Sequence, residues 1–94
     1  MGMDCPRYTL AYNTSFGRIL KKLKRRDPVL LKELDRGIEK VLQEPAFGKS
    51  LRNVLRNYRR IHVEGSFVLL YEIRECEIRL IDFDHHDRIY KKYS

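Results

Sequence analysis

The run FVLLYEI at residues 67–73 constrains the fold more than any other part of this chain. Its residues are apolar on both faces for most of its length, which is typical of a strand inside a sheet rather than at its edge. Runs with a strand pattern flank it at residues 58–63 and 77–83, and the connections 64–66 and 74–76 are short. The three runs predict an antiparallel meander with FVLLYEI in its interior.

The first half of the chain carries one strand pattern followed by two helix patterns. Residues 7–13 alternate as a strand does, and a helix capped at Thr14 or Ser15 should follow, with apolar side chains at spacings of three and four. The dipeptide Asp27-Pro28 predicts the start of a second helix with one buried stripe. The order β-α-α-β-β-β predicts an α+β fold, in which an antiparallel helical hairpin packs on one face of an antiparallel sheet.

Length and composition indicate the class of protein. With 94 residues the chain has room for one domain, 1–94, with one modest core. It has no apolar run of about eighteen residues and no signal-peptide pattern at its start, so we expect a cytoplasmic protein that does not enter membranes. Cys5 and Cys76 lack metal-ligand spacing, and we predict two free thiols because a reducing cytoplasm disfavours disulfides. A disulfide between them is the less favoured alternative.

Net charge is the first indication of function. Lys and Arg total 20 against 13 acidic residues, a formal net charge of +7, as expected of a protein that binds polyanions. Two basic blocks contain no acid: Arg18, Lys21, Lys22, Lys24, Arg25 and Arg26 form the first, and Lys49, Arg52, Arg56, Arg59 and Arg60 form the second. Charge alone does not indicate whether the partner is RNA, DNA or an acidic protein. A solvated helix face followed by a charged linker would give the same basic blocks without any partner.

The histidines lie in the C-terminal third of the chain, with His62 on the second predicted strand and His85 and His86 after the last. An antiparallel meander brings these strand ends together, so the two groups can meet. Imidazole can take a proton from a ribose hydroxyl or give one to a departing oxygen, and RNA carries its own nucleophile in the 2′-hydroxyl. Cations that stabilise charge at the phosphate complete the set that RNA cleavage needs. The alternative for each histidine is a hydrogen-bonded surface residue.

Four side chains near these histidines have two interpretations each. Tyr90 and Phe67 could stack on a base or pack in the core. Arg59 and Arg60 alternate along one strand, so only one of them can face the site, and the sequence does not say which.

A metal site is the weaker alternative to acid–base catalysis. Asp82, Asp84 and His86 stand at alternate positions and would share one face of a continuing strand. Against this, no further acidic cluster is evident, and apolar Ile81 and Phe83 flank the aspartates as in an amphipathic strand. We therefore expect no metal and no cofactor.

Residues 45–73, PAFGKSLRNVLRNYRRIHVEGSFVLLYEI, and the closing HHDRIY together resemble the RelE/ParE toxin superfamily, in particular its RelE-like and YafQ-like mRNA interferases. The resemblance covers nearly the whole chain. It implies catalytic roles for His62, His86, Arg59 and Tyr90, and RNA contacts for Lys49, Arg52, Arg56, Arg60, His85 and Phe67. Ser66 and Phe67 stand where YafQ-like members have aspartate and tryptophan, so the choice of base and acid stays open. Because His85 precedes His86, the choice of the catalytic histidine between these two stays open as well.

The resemblance also implies a function and partners. It points to a toxin of a type II toxin–antitoxin system that cleaves mRNA on the ribosome without a metal. The implied partner is a cognate antitoxin, acidic and largely helical, that neutralises the basic surface. We expect no sequence-specific DNA binding by this chain. The alternative is a ParE-like toxin that inhibits DNA gyrase by binding, or a catalytically degenerate module that only binds an antitoxin.

Overall fold

The computed structural model describes residues 5–52 and 57–93. In chain order the elements are β1 (Thr9–Tyr12), α1 (Thr14–Arg26), α2 (Pro28–Gln43), a 3-10 turn (Pro45–Phe47), β2 (Lys49–Ser50), β3 (Tyr58–Val63), β4 (Phe67–Arg74), β5 (Glu77–His85) and α3 (His86–Lys92). The predicted α+β class is confirmed. None of the helices in the described part of the chain has the length and apolar character that crossing a bilayer requires.

Local polar side chains fix where α1 and α2 begin. The side chain of Asn13, rather than Thr14 or Ser15, caps α1 by accepting a hydrogen bond from the Phe16 N–H at 3.0 Å. Asp27 serves both helices, because its own N–H donates to the last turn of α1 and its carboxylate accepts from the Leu30 N–H at 3.1 Å. One residue is thus enough to join the two helices, as the Asp27-Pro28 pair predicts.

The predicted meander is confirmed, with β3, β4 and β5 paired antiparallel. The described residues form a five-stranded sheet of order β1-β5-β4-β3-β2, so the doubly apolar β4 lies at its centre. The sheet departs from the predicted antiparallel pattern in one pair, since β1 runs parallel to β5. Two elements were not predicted: the two-residue strand β2 and helix α3, which directly follows β5.

The two faces of the sheet are covered by different helices. The main core lies under α1 and α2 and contains Phe16, Leu30, Leu34, Ile38, Val41, Ile61, Val63, Leu69, Tyr71, Ile78, Leu80 and Phe83. On the other face, α3 packs against β4 and β5, and Val68, Leu70 and Ile89 are buried there outside the main cluster. The short helix α3 leaves much of that face open.

The prediction of two free thiols is wrong, because Cys5 and Cys76 form a disulfide with an S–S distance of 2.08 Å. The parallel pairing of β1 with β5 brings the N-terminal segment beside the β4–β5 turn, where the Thr9 N–H donates to the Cys76 carbonyl at 2.9 Å. Sequence spacing could not reveal this approach, since the two cysteines are 71 positions apart. A cross-link over so long a loop restricts the unfolded chain and so favours the folded state.

Candidate active site

Strand β3 divides its side chains between the two faces of the sheet. Ile61 and Val63 are 6% and 4% exposed and belong to the main core, so Arg59 points to that face as well. Arg60 and His62 alternate with them and face the side that carries α3. The backbone pairing then puts Lys49 of β2 directly opposite Arg60. This alternation resolves the choice between the two arginines that the sequence left open.

Four of the predicted residues form a connected group on the open face, which we call the histidine site: His62, Arg60, Tyr90 and His86. Arg60 Nη1 lies 3.5 Å from His62 Nε2, and the Arg60 guanidinium carbon lies 5.8 Å from the centre of the Tyr90 ring. The Tyr90 and His86 rings are 6.3 Å apart. Helix α3 therefore brings the C-terminal histidine and tyrosine to the strand that carries His62.

His85 and Phe67 continue the group toward the core. The His85 ring stacks on His86 with centres 4.5 Å apart, and its other neighbour is the Phe67 ring at 5.7 Å. Phe67 is half-buried and stacks on the core residue Phe83 with ring centres 5.5 Å apart. Its ring therefore packs against the core and is not free on that side to stack on a base. The His86 N–H donates to the Ser66 carbonyl at 2.9 Å and so ties the start of α3 to the β3–β4 turn.

The structure does not bring Arg59 to the histidine site. Its guanidinium donates to the Gly48 carbonyl at 2.7 Å and to the Ala46 carbonyl at 3.4 Å. The Arg59 guanidinium is thus bonded to backbone carbonyls on the opposite face of the sheet. Arg60, and not Arg59, lies beside His62 and Tyr90.

The remaining predicted RNA contacts lie in and after β2. Lys49 is exposed and sits opposite Arg60, so it extends the positive charge of the histidine site. Arg52 is exposed just beyond β2. Arg56 falls outside the described residues.

Two aspartates, Asp82, which is buried, and Asp84, which is partly buried, anchor α3 to the sheet. Lys92 Nζ lies 3.1 Å from Asp82 Oδ2 and 3.3 Å from Asp84 Oδ2, and the Tyr93 hydroxyl donates to Asp82 Oδ2 at 3.0 Å. Arg88 reaches Asp84 at 3.3 Å. Lys92 thus holds the two aspartates that the sequence left as possible metal ligands. His86 lies on α3 and not on a continuing strand.

The same contacts set the protonation of these groups. Burial raises the pKa of the Asp84 carboxyl, but the His85 N–H and the Lys92 and Arg88 cations together bring it below its ordinary value. Burial lowers the pKa of Lys92, but its hydrogen bonds with the two aspartates bring it above its ordinary value. Burial, together with the Asp82 charge, raises the pKa of Tyr93 to about 12. All three shifts favour the charge states that keep α3 docked.

Asp87 completes the surroundings of the histidines. Its carboxylate lies 3.0 Å from His86 Nδ1, and its N–H donates to His85 Nδ1 at 3.3 Å. These three consecutive residues have potential ligand atoms within 4.8 Å of one another. They contact each other at the start of α3, where the Asp87 carboxylate lies against the His86 imidazole.

Sequence reasoning missed the anchor formed by Lys92 and Tyr93. A signal was present, since Asp82 and Asp84 alternate on β5 and a lysine and a tyrosine follow within one short segment. The pattern becomes informative only when residues 86–92 are known to form a helix that returns over the strand.

Comparison with known proteins agrees with this architecture. A profile of the family described as "ParE toxin of type II toxin-antitoxin system, parDE" matches residues 7–90. A protein of Methanocaldococcus jannaschii named RelE4 is 39% identical over 87 residues, an alignment that covers 90% of this chain and 93% of that protein.

Solved structures have the same fold. The toxin–antitoxin complex RelBE2 from Mycobacterium tuberculosis contains a chain that matches with a TM-score of 0.69 and 28% identity, over 84% of this chain and 98% of that one. The DinJ–YafQ complex of E. coli contains another, with a TM-score of 0.62 and 25% identity, over 88% and 98% respectively. The chain therefore belongs to the ParE toxin family and is a toxin of the type II toxin–antitoxin class, within the RelE/ParE superfamily.

Proposed function

We propose that this protein is a metal-independent endoribonuclease that cleaves mRNA on the ribosome and is neutralised by a cognate antitoxin. The observation that carries the proposal is the unbroken set of contacts from His62 through Arg60 and Tyr90 to His86. Two imidazoles, a permanent cation and an aromatic ring thus share one side of the sheet. These are the groups that cleavage by the 2′-hydroxyl of the RNA requires.

In the proposed reaction, His62 and His86 divide two proton transfers. One imidazole takes the proton of the 2′-hydroxyl while the 2′-oxygen attacks the neighbouring phosphorus. The bond from phosphorus to the 5′-oxygen breaks, and the other imidazole gives that oxygen a proton. The products are a 2′,3′-cyclic phosphate and a 5′-hydroxyl. Arg60 stabilises the charge that builds on the phosphate oxygens, and Tyr90 offers a face for a base.

The basic side chains around this site supply affinity for RNA. Lys49 stands opposite Arg60, and Arg52 is exposed close by. A separate basic surface runs along α1, where the exposed cations are Arg18, Lys21, Lys22, Lys24, Arg25 and Arg26. In the proposal, the first group contacts the mRNA and the second contacts the ribosome, because neutralising several phosphates drives binding to nucleic acid.

The antitoxin partner is proposed from the relatives and from charge. The M. tuberculosis chain was solved as part of the toxin–antitoxin complex RelBE2, and the E. coli chain was solved as the DinJ–YafQ complex. With a formal net charge of +7, this chain suits an acidic partner that covers the basic surfaces. The proposed antitoxin is a largely helical, acidic segment.

A second candidate function is ParE-like inhibition of DNA gyrase, which the family match itself favours. That activity works by binding and involves no RNA cleavage. The two candidates differ in what they require of His86, because only the nuclease needs its imidazole.

The deciding experiment is primer extension on mRNA exposed to programmed ribosomes and the purified chain, with the chain either untreated or treated with EDTA and freed of the chelator beforehand. We expect ribosome-dependent cuts in both conditions. His86→Ala should reduce cleavage by roughly 10²–10⁴-fold, the usual contribution of a positioned acid or base. The matched control is His85→Ala, which removes the same side chain one position earlier and should reduce cleavage less.

The other outcomes are equally informative. Cuts that disappear with the EDTA-treated chain and return when a divalent metal is added back to it would contradict metal independence. Growth arrest without cuts, unchanged by His86→Ala, would replace the nuclease with the gyrase-binding candidate. If His85→Ala rather than His86→Ala abolishes cleavage, the catalytic role belongs to the stacked neighbour.

A further inference from the structure

The side chain of Tyr71 is buried in the core, yet its hydroxyl is fully used. It accepts a hydrogen bond from the Gly48 N–H at 2.8 Å and donates one to the Pro45 carbonyl at 2.7 Å. Burial raises the pKa of the phenol, although the Gly48 hydrogen bond acts in the opposite direction, so the donated proton is retained in neutral solution. A phenol that bridges two backbone groups from the central strand holds the segment before β2 against the sheet.

Gly48 is the residue that allows this approach. A Cβ at this position would collide with the Tyr71 hydroxyl and would lie only 2.9 Å from the Arg60 carbonyl. Both groups are fixed by the sheet, so a side chain here has no room. The close contact between the segment and the sheet therefore depends on the absence of a side chain.

Arg59 holds the same segment from the neighbouring strand. Its guanidinium donates to the carbonyls of Ala46 and Gly48. Residues 45–48 are thus tied to β4 by a tyrosine and to β3 by an arginine.

The next residue in the chain is Lys49, which faces the histidine site opposite Arg60. Strand β2 has two residues, and a ladder this short fixes a backbone poorly by itself. After β2 the Leu51 N–H donates to the Tyr58 carbonyl at 3.1 Å, so the position of Lys49 depends on this contact and on the contacts just before β2.

We infer that Tyr71 is a positioning residue, whose hydroxyl holds Lys49 beside Arg60 so that both cations meet the same stretch of RNA backbone. The inference rests on the proposed function, because it assigns Lys49 to phosphate binding. Tyr71 itself lies in the core and does not touch RNA. Its effect passes through Gly48 to the neighbouring lysine, and it concerns binding rather than proton transfer.

The test compares Tyr71→Phe, Lys49→Ala and the double variant with the native chain, using kcat and KM for cleavage on programmed ribosomes. Tyr71→Phe removes one oxygen and keeps the ring. We expect it to raise KM roughly threefold to tenfold, the range of a lost hydrogen bond, with kcat unchanged. The matched control is Tyr12→Phe, which removes the same atom from a half-exposed ring on β1.

The double variant separates positioning from general destabilisation. If the hydroxyl acts through Lys49, its removal should have no further effect on KM once Lys49 is alanine. Salt dependence is a second readout. In both single variants, the slope of the logarithm of the binding constant against the logarithm of the salt concentration should fall by the equivalent of about one phosphate contact or less. Additive effects on KM, or an unchanged KM with only a lower melting temperature, would overturn the inference.

The backbone at Lys49 gives a readout that does not need RNA. If the native chain makes no cuts at all, the proposed function fails, and NMR relaxation of the backbone decides the positioning role. Greater mobility at Lys49 in Tyr71→Phe supports the role, and unchanged mobility overturns it. If Tyr71→Phe does not fold, Arg59→Gln releases the same segment from a less buried position and should give the same rise in KM or the same mobility.

Discussion

The two faces of the sheet differ in how far their side chains are exposed. Under α1 and α2 the face is apolar and closed, and Leu34 and Leu69 have no exposed surface. On the face that α3 only partly covers, His62 is exposed and Tyr90 retains 44% of its surface. The closed face therefore provides the core packing, and the proposed chemistry lies on the open face. Apart from Tyr71 and Arg59, which hold the segment before Lys49, residues of one face should be changeable with little effect on the other.

The division is clearest within β3, where two adjacent arginines have different tasks. Arg59 holds backbone carbonyls at the closed face, and Arg60 joins His62 and Tyr90 at the open face. Both residues are arginines, so their different contacts come from the alternation of side chains between the two faces of a strand.

The largest effect should follow from a cavity in the closed face. Leu34→Ala removes a fully buried side chain of α2, and we expect a loss of about 2–5 kcal/mol in the free energy of unfolding. Leu10→Ala on β1, where the side chain is 40% exposed, is the matched control and should cost much less. Urea denaturation measures the difference. If the folded fraction of Leu34→Ala also loses cleavage activity, the two faces are not independent.

A smaller effect should separate the two arginines. Arg60→Ala removes the cation beside His62, and we expect cleavage to fall roughly tenfold to a hundredfold with little change in stability, as for a hydrogen bond to a charged group. Arg59→Ala should instead lower stability by about 1–2 kcal/mol, because it leaves backbone carbonyls without their donor, and should affect cleavage less. Single-turnover cleavage and thermal unfolding of both variants decide this. Equal losses of activity would contradict the assignment by face.

The smallest effect concerns the anchor of α3 and depends on pH. Tyr93 has an ordinary pKa of 10.0, and burial with the Asp82 charge raises it to about 12 in the folded state. The folded chain therefore holds this proton more tightly, and the resulting stability is present below pH 10 and lost as pH rises toward 12. Tyr93→Phe should make the loss of stability over this range shallower.

Unfolding in urea at a series of alkaline pH values measures this loss. Tyr12→Phe is the matched control, since its half-exposed ring lies away from α3. Identical slopes for the native chain and Tyr93→Phe would show that the anchor does not depend on the tyrosine proton.

Much of the fold could be predicted because its signals are local. The apolar stripe of α2, the Asp27-Pro28 junction and the alternating runs that become β3, β4 and β5 are each readable from neighbouring residues. The structure places His62 and His86 on one side of the sheet, where Arg60 and Tyr90 lie between them, and the order of an antiparallel meander is what brings these strand ends near each other.

The missed features depend on contacts between distant segments. Strand β2 has two residues and α3 has seven, and elements so short carry little periodicity of their own. The Cys5–Cys76 disulfide requires β1 to run beside β5, a pairing that no local pattern specifies. Arg59 was assigned to the site because of a resemblance in sequence, and only its contacts with Ala46 and Gly48 show that it faces elsewhere.

By itself, the sequence determined the class of fold, the central place of β4 and the presence of imidazoles and cations at one end of the sheet. These follow from hydrophobic periodicity and charge, which act over a few residues at a time. The tertiary structure alone decided which arginine meets His62, how Lys92 and Tyr93 dock α3, and how Tyr71 holds the chain beside Lys49. The docking of α3 and the contact of Tyr71 with Gly48 join atoms that the chain separates by eight or more positions, and the choice of arginine depends on which face of β3 packs against the helices. These arrangements exist only after the sheet and its helices have packed.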